Sequence, residues 1–440
     1  MTDAELERLY GLLRIPSVSA VDAHREDMDV AVECLAEEIG RAGGTSEVLR
    51  TGGHPLLIGD VPAQHTDAPA VIVYGHYDVQ PVGDRLSWTS DPFAPEIRDG
   101  NLYGRGTSDD KGNLFMLIAA VQRLADAGAL PVSVRFVIDG EEECGGESAV
   151  RFIAEDSAAA DAALIFDAPM IGPGRPMICS GLRGLVYRRV TLRTAAQDAH
   201  SGLYGGAALS AAHVLVRLLD SLIARDGALH SDLCVGIAAP APEERAAWSQ
   251  LPDGAQMLRD AGLLPADARA ADEFYRRTVA APSLEIHGLA AGEPDAIKTN
   301  LVSVATATLS LRVAPGQDAD ELAAALDRLI ATAVPDGAAV DITPLGTAAP
   351  ALCDPRHPVL AASAAAIGAS TGWPCVPVRS GGSIPIVATL AGRGIPTVLS
   401  GFALPDDGIH GPNEHLRFEY LEIGTRAAMA IFAAIGDLGR

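Results

Sequence analysis

Short apolar runs alternate with amphipathic stretches over the first 170 or so residues of the chain. Apolar positions spaced three and four residues apart predict helices over 3–13, 27–42, 112–127 and 147–155. Short runs rich in β-branched residues predict strands over 56–60, 71–75, 132–138 and 163–167. The last three runs are apolar on both faces, as in buried parallel strands. Because these strands alternate with helices, we expect a mostly parallel sheet.

The middle of the chain has a different pattern. Apolar and polar residues alternate over 185–194, 283–289 and 302–313, which is typical of half-exposed antiparallel strands. Helices are predicted over 207–225 and 318–332, and 238–281 is expected to be helical in pieces. This pattern predicts a two-layer α+β domain.

The first pattern returns after Pro350, with a predicted helix over 356–370 and a strand over 396–400. We therefore predict an α/β domain formed by residues 1–176 and 351–440. Residues 177–350 are predicted to form the α+β domain, inserted between those two parts.

Composition narrows the classes of function. A chain of 440 residues is too long for one ordinary core, and its net charge of −24 argues against nucleic acid and anionic membranes as partners. The six cysteines form no CxxC pair, which indicates reduced thiols. The start lacks the features of a signal peptide, and no apolar run approaches the ~20 residues of a membrane span. We expect a cytoplasmic protein.

Potential metal ligands follow the predicted buried strands. Three of these strands run directly into polar residues, which are His76 and Asp78, Glu142 and Glu143, and Asp167. Two more candidates, Asp109 and His410, lie in glycine-rich loops. Because ligands bind beyond the carboxyl ends of strands in open α/β sheets, we expect these side chains to converge.

His76 and Asp78 are two residues apart, so in an extended chain they share a face and one could orient the other. An ordinary surface turn is the alternative, and Asp78 could also reach the site as a separate acid.

Asp109 and Asp110 follow a turn with Gly104 and Gly106 and precede the predicted helix over 112–127. A helix N-cap explains one of the two acids. A phosphate loop is disfavoured, because the GxxxxGK[ST] pattern is missing and acids at a helix start repel phosphate. We predict one cap and one metal ligand.

Glu141, Glu142 and Glu143 are either a solvated charge run or part of a site. Gly140 and the Gly145–Gly146 pair bracket them as a tight loop, which favours a site. A hydrolytic metal site needs one carboxylate on a metal and another that takes a proton from water. Histidine and carboxylate donors suit zinc, and five ligands exceed the needs of one tetrahedral zinc ion, so two metals fit better.

The same residues also match a known family. GHYDVQP, LYGRGTSDDKG, EECGG, GLRG, DAHSGLYGG, PSLEIHG, GGSIP and DDGIHGPNE occur in the order found there. The chain resembles the dinuclear zinc exopeptidases of the carnosinase, bacterial dipeptidase and carboxypeptidase G type over nearly its whole length. DDKG, HSGLYGG and GGSIP favour the carnosinase-like dipeptidase branch over acetylornithine or succinyl-diaminopimelate deacylases. The resemblance implies a catalytic domain of zinc-exopeptidase type with an inserted lid and dimerisation domain.

The resemblance also assigns roles at the metal site. It implies that His76, Asp109 and Asp167 hold one metal ion, and that Asp109, Glu143 and His410 hold the other. Asp78 would orient His76, and Glu142 would be the general base. The Asp109–Asp110 peptide would be cis.

For the substrate, the resemblance implies contacts from His200, Arg312, Gly382 and Ser383. His200 would reach the active site of the partner subunit in a homodimer, and Arg312 would bind the substrate's C-terminal carboxylate. The implied enzyme is a dipeptidase with two divalent ions per subunit, zinc or alternatively manganese, whose bridging hydroxide attacks the peptide bond.

Two other functions remain open at this point. One is another amide hydrolysis at the same site, by an N-acyl-amino-acid deacylase or a carboxypeptidase. The other is a binding protein that has kept the fold without activity. An inactive relative should have lost the base or a ligand, and this chain has them all.

Overall fold

The computed structural model describes residues 1–225, 227–249, 251–293, 295 and 297–439. The chain divides into two compact units. The first comprises Met1–Ser180, Cys353–Val378 and Thr389–Arg440, and the second comprises Gly181–Leu352 and Arg379–Ala388. The predicted boundaries at 176 and 350 lie a few residues from these limits. Segment Arg379–Ala388, which the sequence placed in the first domain, groups with the second unit.

The strands are, in chain order, β1 (Thr45–Leu49), β2 (Leu56–Val61), β3 (Ala70–His76), β4 (Glu96–Arg98), β5 (Asn101–Tyr103), β6 (Ser133–Asp139), β7 (Ala162–Phe166), β8 (Met177–Leu182), β9 (Gly184–Arg193), β10 (Ala199–His200), β11 (Ser283–Ala291), β12 (Asn300–Leu301), β13 (Val304–Val313), β14 (Ala339–Ala348), β15 (Ala351–Leu352), β16 (Val376–Ser380), β17 (Thr397–Ser400) and β18 (His415–Arg417).

The α-helices are α1 (Asp3–Leu13), α2 (Arg25–Arg41), α3 (Lys111–Asp126), α4 (Ser148–Glu155), α5 (Ser201–Tyr204), α6 (Ala211–Leu222), α7 (Pro242–Trp248), α8 (Gly254–Asp260), α9 (Ala319–Ala333), α10 (Pro358–Thr371), α11 (Pro385–Gly392) and α12 (Phe418–Leu438). A π-helical turn covers Arg276–Ala280. The described residues contain no helix long and apolar enough to cross a membrane.

The first unit is built on a six-stranded sheet with the order β1-β2-β6-β3-β7-β17. Strands β6, β3, β7 and β17 are mutually parallel, whereas β2 pairs antiparallel with β6 and β1 pairs antiparallel with β2 at the edge. Strand β7 is buried throughout, and so is β3 after its first residue, because the sheet is covered on both faces. Phe115, Phe136, Phe166 and Phe432 are fully buried in this core. The predicted mostly parallel α/β fold is confirmed.

The second unit contains a four-stranded antiparallel sheet with the order β11-β13-β9-β14. Alternate residues of β9 are buried, among them Val186 and Val190, and they pack in one core with Leu218 of α6 and Leu326 of α9. One face of the sheet is therefore covered by helices, which confirms the predicted two-layer α+β insertion.

Candidate metal centre

Parallel strands carry the predicted ligands to one edge of the first unit's sheet. His76 is the last residue of β3 and pairs in register with Asp139, the last residue of β6. Asp167 directly follows β7, which pairs with the other side of β3. Because these strands are parallel, their carboxyl ends meet at the same edge, where such sheets bind ligands.

The first ligand group consists of His76, Asp109 and Asp167. Each offers one ligand atom, and these atoms all lie within 4.8 Å of one another. His76 Nε2 is 3.0 Å from Asp109 Oδ1. The other ring nitrogen, Nδ1, lies 3.0 Å from the carbonyl oxygen of Asp78 and 3.4 Å from its Oδ1. Because Nδ1 makes these contacts, Nε2 is left to face the other ligands of the group, as in metal-binding histidines.

The second ligand group consists of Asp109, Glu143 and His410, whose ligand atoms also lie within 4.8 Å of one another. His410 Nε2 is 2.9 Å from Asp109 Oδ2 and 3.2 Å from Glu143 Oε2. The two groups therefore share Asp109, which turns one oxygen toward each histidine. The Asp109–Asp110 peptide is cis.

This arrangement fits two divalent metal ions. The donors are imidazole nitrogens and carboxylate oxygens, which zinc accepts. Oε1 of Glu143 is buried and has no hydrogen-bond partner among the described residues. Buried polar atoms are nearly always satisfied, and a metal ion at this position would satisfy that oxygen.

The pKa values of the two histidines also indicate a site that favours cations. Burial lowers the pKa of His76, but its hydrogen bonds with Asp109 and Asp78 outweigh burial, so the pKa lies well above the usual value. Contacts with Asp109 and Glu143 raise the pKa of His410 to about 10. The carboxylates of the cluster thus favour positive charge at its centre, and divalent cations would supply that charge while displacing protons from the imidazoles.

Asp110 stands at the N-cap position of α3, but its side chain makes no capping hydrogen bond. Its Oδ2 accepts a hydrogen bond of 3.2 Å from the backbone N–H of His76 instead. Burial, followed by repulsion from Asp167, raises the pKa of Asp110 well above the usual value. The prediction that one of the two aspartates caps the helix is wrong, because this acid turns toward the ligand strand.

The three consecutive glutamates are not a solvated charge run. Glu141 is buried, and its Oε1 accepts a hydrogen bond of 2.8 Å from the backbone N–H of His54. Gly53 leaves room for it, because an added Cβ there would lie 1.4 Å from Glu141 Oε1. Glu143 belongs to the second ligand group.

Glu142 starts a 3-10 turn that ends at Cys144, and it belongs to neither ligand group. Burial raises the pKa of Glu142; His76 opposes this, whereas the charges of Asp109 and Glu143 add to it. A carboxyl group that interacts with the ligands and has a raised pKa accepts a proton more readily than an ordinary glutamate does.

The sequence did not predict three contacts of Asp78 and Glu143. Ser19 Oγ donates to Asp78 Oδ2 at 2.6 Å, and the same oxygen accepts the backbone N–H of Glu143 at 3.0 Å. Gln80 Nε2 donates to Glu143 Oε2 at 2.8 Å. Gln80 lies within the motif GHYDVQP, and that position was the signal available for it.

Comparison with known proteins identifies the family. The sequence profile described as Peptidase family M20/M25/M40 matches residues 72–434. The chain belongs to this family.

Relatives of this M20 peptidase include dipeptidases. It is 32% identical over 364 residues to cysteinylglycine-S-conjugate dipeptidase of Corynebacterium striatum, covering 79% of this chain and 77% of the relative. It is 28% identical over 460 residues to human Beta-Ala-His dipeptidase, covering 96% and 88%. Among solved structures, the M20 metallo-carboxypeptidase Sso-CP2 of Sulfolobus solfataricus has a TM-score of 0.88 at 23% identity, with coverage of 99% and 100%, which shows the fold.

The remaining predicted site residues of the M20 peptidase lie in its second unit. Arg312 of β13 is half-buried, and its Nη1 donates to Ser383 Oγ at 3.0 Å. Burial lowers the pKa of Arg312, and no described carboxylate forms an ion pair with it. Gly382 donates its N–H to Ser380 Oγ at 3.3 Å. His200 is exposed, and its Nδ1 accepts the N–H of Gly202 at 2.9 Å.

Proposed function

We propose that this M20 peptidase is a dipeptidase that depends on two divalent metal ions, zinc or alternatively manganese. One observation carries the proposal: two ligand groups share Asp109, and the unliganded carboxyl of Glu142 stands beside them. The relatives named as dipeptidases support the substrate class.

His76, Asp109 and Asp167 would hold one ion, and Asp109, Glu143 and His410 would hold the other. When bound, the ions would activate a water molecule and polarise the scissile carbonyl. Asp78 keeps the ring of His76 oriented through its contacts with Nδ1.

Glu142 moves the protons of the reaction in this proposal. Its carboxylate takes a proton from the attacking water and later gives it to the leaving amine. The raised pKa of Glu142 suits both steps, because burial makes its carboxylate hold a proton more readily than an ordinary glutamate does.

The substrate's C-terminal carboxylate would be bound by Arg312, together with Gly382 and Ser383. A planar guanidinium suits a carboxylate, and Arg312 has no described carboxylate partner of its own. His200 would stabilise the oxyanion in the active site of the partner subunit, which requires a homodimer. We place this activity in the cytoplasm.

The second candidate is a carboxypeptidase or N-acyl-amino-acid deacylase. The similarity in fold to the metallo-carboxypeptidase Sso-CP2 favours it. Both candidates use the same metal centre, so they differ only in the substrate.

A substrate panel separates the candidates. Metal-free protein is reloaded with zinc, manganese or cobalt and assayed on α-dipeptides, β-alanyl dipeptides, tripeptides and N-acyl-amino acids. We expect dipeptides to give the highest kcat/KM, and C-terminal amides of the same dipeptides to react poorly because Arg312 finds no carboxylate. Better hydrolysis of acyl-amino acids or longer peptides would favour the second candidate.

A further inference from the structure

Glu414 is fully buried four residues after His410, and its carboxylate contacts the loop that carries Asp109. Oε1 of Glu414 accepts the backbone N–H groups of Ser108 at 3.0 Å and Asp109 at 3.1 Å. The N–H of Gly106 lies 3.1 Å from Oε1 and 3.0 Å from Oε2. One side chain thus satisfies three of the four backbone N–H donors between Gly106 and Asp109, in a loop that bears a proposed ligand.

Arg105 forms a buried ion pair with Glu414. Its Nη1 donates to Glu414 Oε2 at 2.6 Å, and the two side chains are 1% and 0% exposed. Arg105 also stacks over Trp88, with 5.3 Å to the ring centroid, and donates to the carbonyl of Pro81. Because charge-assisted hydrogen bonds surround both groups, the carboxylate has little freedom to shift.

The loop that carries Asp109 and the segment around Glu414 are joined by further hydrogen bonds. Ser108 Oγ donates to Asp407 Oδ2 at 3.1 Å and contacts the carbonyl of His415 at 2.7 Å. The N–H of Gly104 donates to the carbonyl of Glu414 at 3.0 Å.

We propose that Glu414 is a positioning residue of the metal centre, which fixes Asp109 relative to His410. This inference rests on the proposed second metal site. Both ligands lie outside regular helices and strands, and His410 has a φ of 61°, so neither is held by an element of its own. Partners behind the ligands commonly set metal affinity, and Glu414 is placed to do so for two ligands at once.

Glu414→Gln tests the proposal, because it replaces one accepting oxygen with an NH₂ group that cannot accept these N–H donors. Metal-free protein is titrated with Co²⁺, followed by its visible spectrum and by calorimetry. We expect two Co²⁺ ions to bind to the unaltered protein, and one of the two affinities to fall about 10–100-fold in the variant.

Glu5→Gln is the matched control. Glu5 is also buried and also pairs with an arginine in the first unit, but Arg123 is its partner and neither belongs to the metal centre. This control should lower the urea midpoint of unfolding and leave both Co²⁺ affinities unchanged.

Two further variants decide the matter if Glu414→Gln does not fold. Glu414→Asp keeps the charge but shortens the reach, and Ser108→Ala removes only a hydroxyl; each should weaken the same Co²⁺ site. Wild-type Co²⁺ affinities and spectrum in the folded variants would overturn the positioning role. Binding of fewer than two ions by the unaltered protein would instead reject the proposed dinuclear site.

Discussion

Asp109 uses its two carboxylate oxygens in two directions, with Oδ1 toward His76 and Oδ2 toward His410. Burial raises its pKa, but the hydrogen bonds with the two histidines outweigh burial, so its pKa lies below the usual range. The residue is therefore an anion across the physiological pH range. A shared anion of this kind lets two cations approach each other, because it offsets part of their repulsion.

We predict that substitutions of the two neighbouring glutamates have different effects. Glu142→Gln should keep both metal ions and lose about 10²–10⁴-fold in kcat, because only the proton carrier is removed. Glu143→Gln should lose one metal ion, because Oε2 of Glu143 lies 3.2 Å from His410 in the second ligand group. Elemental analysis and steady-state kinetics on both variants check this. Near-normal turnover of Glu142→Gln would contradict the role given to Glu142.

At the scale of elements, three helices of the first unit meet at Arg123. This α3 residue makes bidentate hydrogen bonds of 2.8–2.9 Å to Glu5 of α1 and Glu422 of α12. The bonds from Arg123 lower the pKa of each carboxyl from 4.5 to about 2. A carboxyl with a lowered folded-state pKa adds stability above its unfolded value, and that stability is lost as pH falls.

Arg123→Met should therefore lower the free energy of unfolding by roughly 1–3 kcal/mol near neutral pH, through lost hydrogen bonds to charged groups. The difference in free energy of unfolding between the variant and the unaltered protein should shrink as pH falls from about 4.5 toward 2, because both glutamates become protonated there. Urea unfolding at a series of pH values measures it. Arg85→Met, which removes an exposed ion pair with Asp91, should change little at any pH. A difference that stays constant down to pH 2 would contradict the linkage.

The periodicity of apolar residues predicted several of the elements that pack on a core, but not β8 or α12. Helix α3 was predicted over 112–127 and found at Lys111–Asp126, because its apolar face is continuous. Strand β14 was missed, because it lies at a sheet edge, is mostly exposed and contains Pro344 and Gly346, where its register shifts. Edge strands tolerate proline, so a pattern that excludes proline from strands cannot find them.

The candidate site was predictable where ligands follow buried strands or stand in recognisable motifs, as for His76 and His410. The contacts made by residues behind the ligands were not, even where those residues lie within a motif, as Gln80 and Glu414 do. Glu414 lies in an irregular loop, and nothing in its spacing indicates that it meets the backbone of Ser108 and Asp109. Such contacts depend on tertiary geometry between residues some 300 positions apart, which local pattern does not encode.

At the scale of the whole molecule, the proposed ligands and substrate contacts lie in separate units. His76, Asp109 and Asp167 belong to the first unit, whereas His200 and Arg312 belong to the second. A division of this kind lets one enzyme draw a residue from a second copy of itself. His200, exposed and far in sequence from every proposed metal ligand, is the residue for which this is proposed.

Mixing two inactive variants tests the role of His200. In a heterodimer of His200→Ala and Glu142→Gln subunits, one site combines an intact Glu142 with the neighbour's intact His200. After verified subunit exchange, we expect roughly a quarter of wild-type activity in an equal mixture, because half of the dimers are mixed and each has one complete site. If His200 acts in its own subunit, every site keeps a defect and the mixture stays inactive.

The order of the ligands along the chain has a consequence for synthesis. His76, Asp109, Glu143 and Asp167 lie within the first 180 residues, and His410 comes near the other end, after the whole second unit. The ligands of the first group are thus all synthesised long before the second group is complete, because His410 leaves the ribosome last. A chain released before residue 410 would lack that histidine and could not carry the proposed metal pair.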